Sequence, residues 1–370
     1  MEFPAIDLPP GSVAVVLGTR PEIVKLAHLI AGLGNRARVI HTGQHYDYEL
    51  SAVFFEAFGI PEPAVFLGVG GRTRAGQIAA ALGALDELFA SEPPRVVVVQ
   101  GDTNTTLAGA LAANAHEIPI VHVEAGLRSR DRRMPEEHNR VLTDAVSDLL
   151  CAPTDISVRN LVSEGVAGEM IELTGNTVVE AVRGLMPSPE RRASLLAEHG
   201  LEPAGFVLST IHRPENVDDP ERFSTIIEQL ASLDLPVVLP LHPRSRKRAE
   251  QFGLADELAS IRVVDPMGYV EFLALSAEAG YLVSDSGGVQ EEVSVYKRPV
   301  IVVRRSTERP EVLGTFARLV EPSAIADTAA EWLSDLESVH EELRGIPSPY
   351  GDGTASARIA DAIGRRFGGA

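Results

Sequence analysis

Short apolar runs recur along the first half of the chain and alternate with longer segments in which apolar residues have helical spacing. Buried parallel strands are continuous apolar runs, and each needs a crossover of helical length before the next strand. This rhythm therefore predicts βαβ units built on a parallel sheet. The predicted strands of this half are Val13–Leu17, Val39–Thr42, Val96–Val99, Ile120–Val123, Asp148–Cys151 and Ile171–Thr174.

The second half repeats the pattern after a polar stretch, Thr174–Thr177, which we interpret as a hinge. With 370 residues the chain is long enough for two domains. The sequence therefore predicts an α/β protein with two Rossmann-like domains that face a cleft. The predicted strands of the second half are Phe206–Thr210, Val237–Leu241, Ile261–Val264, Tyr281–Ser284 and Val300–Val303.

Acidic and basic side chains are concentrated in residues 122–140, HVEAGLRSRDRRMPEEHNR. Glu124 follows a predicted strand directly, and Asp102 follows another. In open parallel sheets the ligand crevice lies beyond the carboxyl ends of the strands, so these carboxylates are placed where chemistry usually occurs. Pro135 predicts the start of a helix. The segment has the groups for proton transfer beside an anionic substrate.

Each of these features also has a purely structural interpretation. Glu124 is an ordinary strand-end carboxylate in that view, and Asp102 is the N-cap of the next helix. Lys25 then lies on a helix surface, and Glu137 faces solvent. Ser-Gly-Gly at 286–288 is often just a turn. The sequence alone does not decide between the structural and the functional interpretation.

Two segments are suited to binding phosphate groups. Residues 18–25, GTRPEIVK, combine a glycine turn with a helix start whose backbone amides favour anions. They are neither a GxGxxG nor a Walker motif, so neither NAD nor ATP is indicated. Residues 285–292, DSGGVQEE, place unobstructed amides at another helix start, a plausible diphosphate cradle, with Glu292 one turn later to meet ribose hydroxyls.

Composition narrows the class of protein. A hydrophobic content of 45% with 23% charged residues is typical of a globular protein, and a net charge of −19 argues against nonspecific binding to nucleic acid. No apolar run reaches the roughly 20 residues of a membrane span, and the first residues do not resemble a signal peptide, so we expect a cytoplasmic protein. The single cysteine, Cys151, is expected in the core.

Ten motifs, in this order, resemble those of the non-hydrolysing UDP-N-acetylglucosamine 2-epimerases over nearly the whole chain. They are GTRPEIVK (18–25), TGQHYD (42–47), GDTNTT (101–106), HVEAGLR (122–128), PEEHNR (135–140), TGNTVVEA (174–181), HRPEN (212–216), DSGGVQEE (285–292), TERPE (307–311) and SPYGDG (348–353).

The resemblance implies the GT-B architecture, an α/β fold of two Rossmann-like domains whose parallel sheets face an interdomain cleft. The first domain is expected at 1–175, with a C-terminal helix at 355–370 packed back on it. A UDP-binding domain is expected at 176–354. The family also implies a homodimer that acts on a UDP-sugar without a cofactor or a metal, in the biosynthesis of surface polysaccharides or other glycans.

The resemblance further implies an enzymatic activity and the residues that carry out catalysis and bind the substrate. Family members interconvert the gluco and manno configurations at C2 of a UDP-linked 2-acetamido sugar by eliminating and re-adding UDP. Matching positions make Asp102, Glu124 and Glu136 acid/base carboxylates, and His212 a further catalytic group. The implied substrate-binding residues are Arg20, Lys25, Gln44, His45, Arg140, His242, Ser286, Gly287, Gly288, Glu292 and Arg309.

Two departures from the family pattern bear on specificity. Pro214 stands where many bacterial members have a second basic residue. Many of those members are activated allosterically by UDP-N-acetylglucosamine at a site that involves the region of Gln44 and His45. Because of Pro214, the resemblance does not extend to this activation. The compact loop before Pro135 resembles relatives that act on UDP-2,3-diacetamido-2,3-dideoxy-glucuronic acid. The sequence is also compatible with a GT-B glycosyltransferase, a hydrolysing epimerase or a non-catalytic UDP-sugar sensor.

Overall fold

The computed structural model of the chain describes residues 3, 9–44 and 54–368. The chain divides into two compact units, Met1–Gly184 with Tyr350–Ala370, and Leu185–Pro349. The first boundary was predicted after residue 175, nine residues before the observed limit at Gly184. The second was predicted before residue 355, five residues after the observed return at Tyr350.

The first boundary differs because the helix Val178–Leu185 is part of the first unit. Val179 and Val182 on this helix are fully buried. Glu180 accepts a 2.6 Å hydrogen bond from the backbone amide of Ser356, at the start of the C-terminal helix. The polar stretch at 174–177 is therefore a turn inside the first unit, held in part by the 2.8 Å bond from the Asn176 amide to the Tyr350 carbonyl.

The first unit is an α/β fold around a parallel sheet. Its strands are β1 (Val13–Leu17), β2 (Ala37–His41), β3 (Val65–Phe66), β4 (Val96–Gln100), β5 (Ile120–Val123), β6 (Leu149–Ala152) and β7 (Ile171–Leu173). Its helices before the second unit are α1 (Arg20–Leu33), α2 (Arg74–Ser91), α3 (Asn104–Ala115), α4 (Pro135–Val146), α5 (Asp155–Ser163) and α6 (Val178–Leu185).

The second unit has the same construction. Its strands are β8 (Val207–Thr210), β9 (Val237–Pro240), β10 (Arg262–Val264), β11 (Tyr281–Ser284), β12 (Val300–Val303) and β13 (Ala317–Val320). Its helices are α7 (Pro189–Glu198), α8 (Pro214–Val217), α9 (Pro220–Ala231), α10 (Pro243–Gln251), α11 (Ala255–Ala259), α12 (Tyr269–Glu278), α13 (Gly287–Tyr296), α14 (Ile325–Leu333) and α15 (Leu336–Gly345). The chain returns to the first unit as α16 (Ala355–Phe367).

Short 3-10 turns join some of these elements. In the described residues they are Gly34–Arg36, Gly168–Met170, Pro310–Val312 and Pro322–Ala324.

Both sheets are doubly wound. The strand orders are β3-β2-β1-β4-β5-β6-β7 and β10-β9-β8-β11-β12-β13, and every pairing is parallel. The predicted parallel α/β class is confirmed. The order reverses between β1 and β4 in the first sheet and between β8 and β11 in the second. Ligands bind at such switch points because the flanking connections leave on opposite faces and open a crevice.

The sequence prediction missed two strands for physical reasons. β3 has two residues, too few for a recognisable apolar run, and Phe66 is 45% exposed. β13, an edge strand with the sequence ARLV, contains the exposed Arg318, so it lacks the uninterrupted apolar pattern of the inner strands.

Helices cover both faces of the first sheet. Alternate residues of β1 enter different clusters: Val13 and Val15 pack with α1 and α16, whereas Ala14 and Val16 pack with α2 and α3. This burial on both faces explains why the inner strands are continuous apolar runs. Cys151 is fully buried in the same core, as predicted. In the described ranges, no helix is both long and apolar enough to span a bilayer.

Gly126 controls how the loop after β5 packs on α5. Its φ is +80°, and a Cβ added there would lie 2.5 Å from the Ser157 carbonyl oxygen and 2.9 Å from Leu161. The first contact is with backbone, which cannot rotate away as a side chain does. A glycine is therefore required at this position by both conformation and space.

We predict that Gly126→Ala destabilises the protein by about 2–4 kcal/mol, since it adds overpacking to left-handed strain. Gly165→Ala is the matched control because Gly165 has a φ of +89° but no atom within 4 Å of the added Cβ. The control should lose only about 1 kcal/mol from strain. Urea unfolding of both variants tests this, and equal losses would show that the Ser157 contact is unimportant.

Candidate active site

The first sheet brings the ends of β4 and β5 together at its switch point. Gln100, the last residue of β4, is in register with Val123, the last residue of β5. Glu124 follows immediately and has a φ of +69°, a left-handed conformation that is costly for a residue with a side chain. The backbone amide of Glu124 bonds to the Cys151 carbonyl at 3.1 Å, which holds this turn.

The Glu124 carboxylate is buried and fixed by two donors. Its Oε2 lies 2.5 Å from Lys25 Nζ and accepts a 2.9 Å hydrogen bond from Gln100 Nε2. Lys25 is 8% exposed, so its interpretation as a helix-surface lysine is wrong. Ile23 and Leu26 on the apolar face of α1 are buried in the core with β1, and this packing places Lys25 next to the end of β5. The pair places a carboxylate and an ammonium group at one strand end.

A second carboxylate, Asp102, lies two residues beyond β4. It forms an ion pair with Arg140 Nη2. The N-cap of α3 is Thr103, whose Oγ1 accepts a 3.1 Å hydrogen bond from the Thr106 amide. The interpretation of Asp102 as an N-cap is therefore wrong. Its carboxylate is instead directed toward the guanidinium of α4.

The two glutamates that follow Pro135 differ in exposure. Glu137 was expected to face solvent, but it is buried, accepts hydrogen bonds from the amides of Ser129 (3.0 Å) and Arg130 (2.8 Å), and pairs with Arg140 at 2.6 Å. The loop after β5 folds over the first turn of α4 and covers this side of the helix. Glu136, the predicted catalytic residue, is exposed on the same turn.

Glu22 of α1 connects the loop after β1 to the loop after β4 at the switch point. Its carboxylate accepts hydrogen bonds from the Gly18 amide at 2.9 Å and from Thr103 Oγ1 at 2.8 Å. Burial raises the pKa of Glu22 to about 7, against the lowering effect of these hydrogen bonds. Gly18 has no room for a side chain, since an added Cβ would lie 2.1 Å from Thr42 Oγ1.

The remaining predicted residues of the first unit have different positions. Gln44 Oε1 accepts hydrogen bonds from the amide (2.9 Å) and the hydroxyl (3.0 Å) of Thr105, on α3. Arg20 is exposed at the start of α1. His45 lies outside the described residues.

In the second sheet the switch point is organised around Asp285. This fully buried carboxylate accepts hydrogen bonds from the amides of His212 (3.1 Å) and Arg213 (2.9 Å) and from Asn216 Nδ2 (3.0 Å). It also lies 2.9 Å from His212 Nδ1. Burial by itself raises the pKa of Asp285, but these partners outweigh it and hold the pKa below its ordinary value. An ionised carboxylate thus orients an imidazole that is 57% exposed.

The Ser-Gly-Gly segment begins α13 beside the same strand end, with Ser286 as the N-cap. An added Cβ on Gly287 would lie 3.0 Å from Glu308 Oε1 and 3.2 Å from Arg309 Nη1. Arg309 is buried, donates from Nε to Glu291 at 2.9 Å and pairs with Glu308. Its guanidinium therefore lies directly behind the glycine turn.

Glu292 and His242 complete the predicted set. Glu292 is buried and accepts a 2.8 Å hydrogen bond from the Tyr269 hydroxyl. Burial and the nearby Glu292 carboxylate raise the pKa of Tyr269. Gly288 does not crowd it, because an added Cβ would be 3.8 Å from Glu292. His242 is exposed after β9.

Each unit thus brings part of the predicted set together: Lys25 with Glu124, Asp102 with Arg140, and His212 beside the glycine turn. Sequence reasoning assigned no role to Gln100, Glu22 or Asp285, although Gln100 ends an apolar strand and Asp285 follows one, the signal that identified Glu124. In the described parts of the chain, no three His, Cys, Asp or Glu side chains are grouped as metal ligands.

Glu22 predicts a specific pH dependence of stability. Its pKa in the folded protein, about 7, exceeds the ordinary value of 4.5, so the folded state binds this proton more tightly. The contribution is present at low pH and is lost as the pH rises through about 7, on the order of 3 kcal/mol in full. Glu22→Gln should therefore lose less free energy of unfolding than wild type between about pH 5 and pH 8.5.

Urea unfolding at both pH values measures this difference. The exposed Glu87→Gln on α2 is the control and should retain the wild-type pH dependence. A Glu22→Gln variant that retained the same dependence would disprove the assignment.

Comparison with known proteins identifies the family. The family model described as UDP-N-acetylglucosamine 2-epimerase matches residues 30–364. A UDP-N-acetylglucosamine 2-epimerase of Methanocaldococcus jannaschii is 40% identical over 94% of this chain and 97% of its own length. A UDP-2,3-diacetamido-2,3-dideoxy-D-glucuronate 2-epimerase of Pseudomonas aeruginosa is 36% identical, with 95% and 99% covered.

The fold agrees with a solved structure. The M. jannaschii UDP-GlcNAc 2-epimerase, crystallised in complex with UDP-GlcNAc and UDP, superposes with a TM-score of 0.83 at 39% identity, over 95% of this chain and 99% of that one. The predicted family and the GT-B-like α/β class are confirmed. This chain belongs to the UDP-N-acetylglucosamine 2-epimerase family of isomerases.

Proposed function

We propose that this chain reversibly converts UDP-N-acetylglucosamine to UDP-N-acetylmannosamine by eliminating and re-adding UDP. The observation that carries the proposal is the buried Glu124 carboxylate, held by Lys25 at 2.5 Å and by Gln100 at 2.9 Å at the switch point of the first sheet. The M. jannaschii relative, named for this activity, supports the choice of substrate.

The proposed route follows from the chemistry of the sugar. The C2 hydrogen is not adjacent to a carbonyl, so its direct removal would leave an unstabilised carbanion. A base instead takes the C2 proton while the C1–O bond to UDP breaks, and the electron pair of the C–H bond forms the C1–C2 double bond of 2-acetamidoglucal. Return of a proton to the opposite face of C2, with UDP oxygen adding to C1, gives the epimer. No net oxidation occurs.

The first unit supplies the proton-transfer groups. Asp102 and Glu124 each form an ion pair, with Arg140 and Lys25 respectively, so two carboxylates and two cations lie at the ends of β4 and β5. Glu136 is the third proposed acid/base group, because it is exposed at the start of α4 whereas Glu137 is held by the Ser129 and Arg130 amides.

The second unit supplies the UDP-binding groups. The backbone amides at the start of α13 donate hydrogen bonds to the diphosphate, and Gly287 and Gly288 leave these amides unobstructed. Glu292, oriented by Tyr269, bonds to the ribose hydroxyls. His212, oriented by Asp285, assists the departing diphosphate by donating a hydrogen bond or a proton.

A second candidate is the same C2 chemistry on UDP-2,3-diacetamido-2,3-dideoxy-glucuronic acid. The observation in its favour is the P. aeruginosa relative of that name, which is 36% identical over 95% of this chain. The two substrates differ at C3 and C6 and share the reacting C1 and C2. The residues proposed above would therefore serve either substrate.

We expect the purified protein, incubated with UDP-N-acetylglucosamine in deuterated water without acceptor or cofactor, to form UDP-N-acetylmannosamine with deuterium at C2 of both sugars. Proton NMR follows the reaction, and Glu124→Gln is the inactive control. Kinetic constants with the diacetamido glucuronate identify the preferred substrate. Release of free N-acetylmannosamine and UDP would indicate a hydrolysing enzyme, and no exchange with either sugar would contradict the proposal.

Adjacent glutamates provide a matched pair of substitutions. Glu136→Gln should lower kcat by about 10²–10⁴, the usual contribution of a general acid or base, with little change in stability because the side chain is exposed. Glu137→Gln should instead cost about 2 kcal/mol or more of stability, since it removes a buried partner of Arg140. Steady-state kinetics and urea unfolding separate the two effects. Wild-type kcat in Glu136→Gln would exclude Glu136 from catalysis.

A further inference from the structure

His122 is a buried histidine that the proposed mechanism does not use. It is the third residue of β5 and has no exposed surface. Its Nδ1 lies 2.6 Å from Asp144 Oδ1, on α4, and its Nε2 lies 2.8 Å from the carbonyl oxygen of Gly101. The ring therefore spans from α4 to the turn that carries Asp102.

Both atoms that the ring contacts are acceptors. A backbone carbonyl has no proton to donate. The other oxygen of Asp144 accepts hydrogen bonds from the Gly126 amide at 3.1 Å and from Arg128 Nη2 at 2.7 Å. Asp144 is therefore ionised and is an acceptor on both sides.

Two acceptors require two donors. A neutral imidazole has one N–H and would leave one buried acceptor facing a lone pair, whereas the imidazolium donates from both nitrogens. The surrounding charges can accommodate the cation. His122 and Arg128 are balanced by Asp144 and by Glu164, which Arg128 contacts at 2.6 Å.

The two neighbours of His122 in the sheet carry no charge. In the sheet its register partners are Val99 of β4 and Leu150 of β6, both fully buried. In the described residues, the ion pairs around the ring and its partner join His122 to Asp144 of α4, Asp144 to Arg128 of the loop after β5, and Arg128 to Glu164 at the end of α5.

We infer that His122 is a doubly protonated positioning residue that fixes the Gly101–Asp102 turn for catalysis. Gly101 has a φ of +74°, and its amide bonds to the Val123 carbonyl at 3.0 Å. The bond from His122 to the Gly101 carbonyl fixes the other side of the residue. The peptide plane between Gly101 and Asp102 is then set, and with it the direction of the Asp102 side chain toward Arg140. This inference rests on the proposed role of Asp102.

Two amide substitutions separate the two hydrogen bonds. Asparagine places its NH₂ near the Nδ1 position, so His122→Asn can still donate to Asp144 but cannot reach Gly101. Glutamine reaches the Nε2 position, so His122→Gln can still donate to Gly101. Both variants lose the buried cation and should be destabilised to a similar degree.

We expect His122→Gln to keep kcat within a few-fold of wild type and His122→Asn to lose on the order of 10–100-fold, with KM changed less, because misplacement of a reacting group by about 1 Å can cost 10²-fold. Steady-state kinetics and urea unfolding measure both quantities. Equal losses of kcat that follow the losses of stability would mean that His122 only supports the fold, and would overturn the inference.

The protonation of His122 can be measured without any assay of turnover. In wild-type protein with ¹⁵N-labelled histidine at neutral pH, both ring nitrogens of His122 should carry a directly bonded proton, with the signal assigned by its through-space contacts to the register partners Val99 and Leu150. A ring nitrogen without a proton would overturn the inference even if neither variant folds. A protonated ring in a protein that does not epimerise the sugars, with both variants folded, would disprove the proposed function and with it the role in catalysis.

Discussion

The ion pair between Lys25 and Glu124 is the contact on which the first unit depends. It joins α1 to the end of β5 across the switch point, and Gln100 adds the end of β4. Removing two charges from water costs several kcal/mol per ion, and a 2.5 Å contact with a further donor offsets that cost only while both partners remain. The left-handed turn at Glu124 adds strain that the surrounding sheet must bear.

The second unit also holds a buried carboxylate at its switch point, but with different partners. Its central carboxylate, Asp285, lies beside the His212 imidazole and also accepts hydrogen bonds from neutral donors, the amides of His212 and Arg213 and the side chain of Asn216. Hydrogen bonds of this kind stabilise an anion without burying a second full charge. The imidazole of His212 can therefore remain largely exposed while its orientation is fixed. One doubly wound topology thus supports two electrostatic designs.

Much of the fold was predictable because inner parallel strands are long apolar runs whose pattern does not depend on distant residues. The strands that were missed, β3 and β13, are short or lie at an edge. The family was predictable from ten motifs, and the strand-end rule identified Asp102 and Glu124. Prediction was weaker for Lys25 and Glu137, whose burial depends on what folds over their helices.

By itself, therefore, the sequence determined the α/β class, the family and the strand ends where carboxylates lie, because each is encoded in local patterns or in motifs. Only the tertiary structure decided which of two adjacent glutamates is buried, that Thr103 rather than Asp102 caps α3, and that α6 belongs to the first unit. It also decided that both nitrogens of His122 meet acceptors. These features arise from contacts between residues distant in sequence, and no local pattern records such contacts.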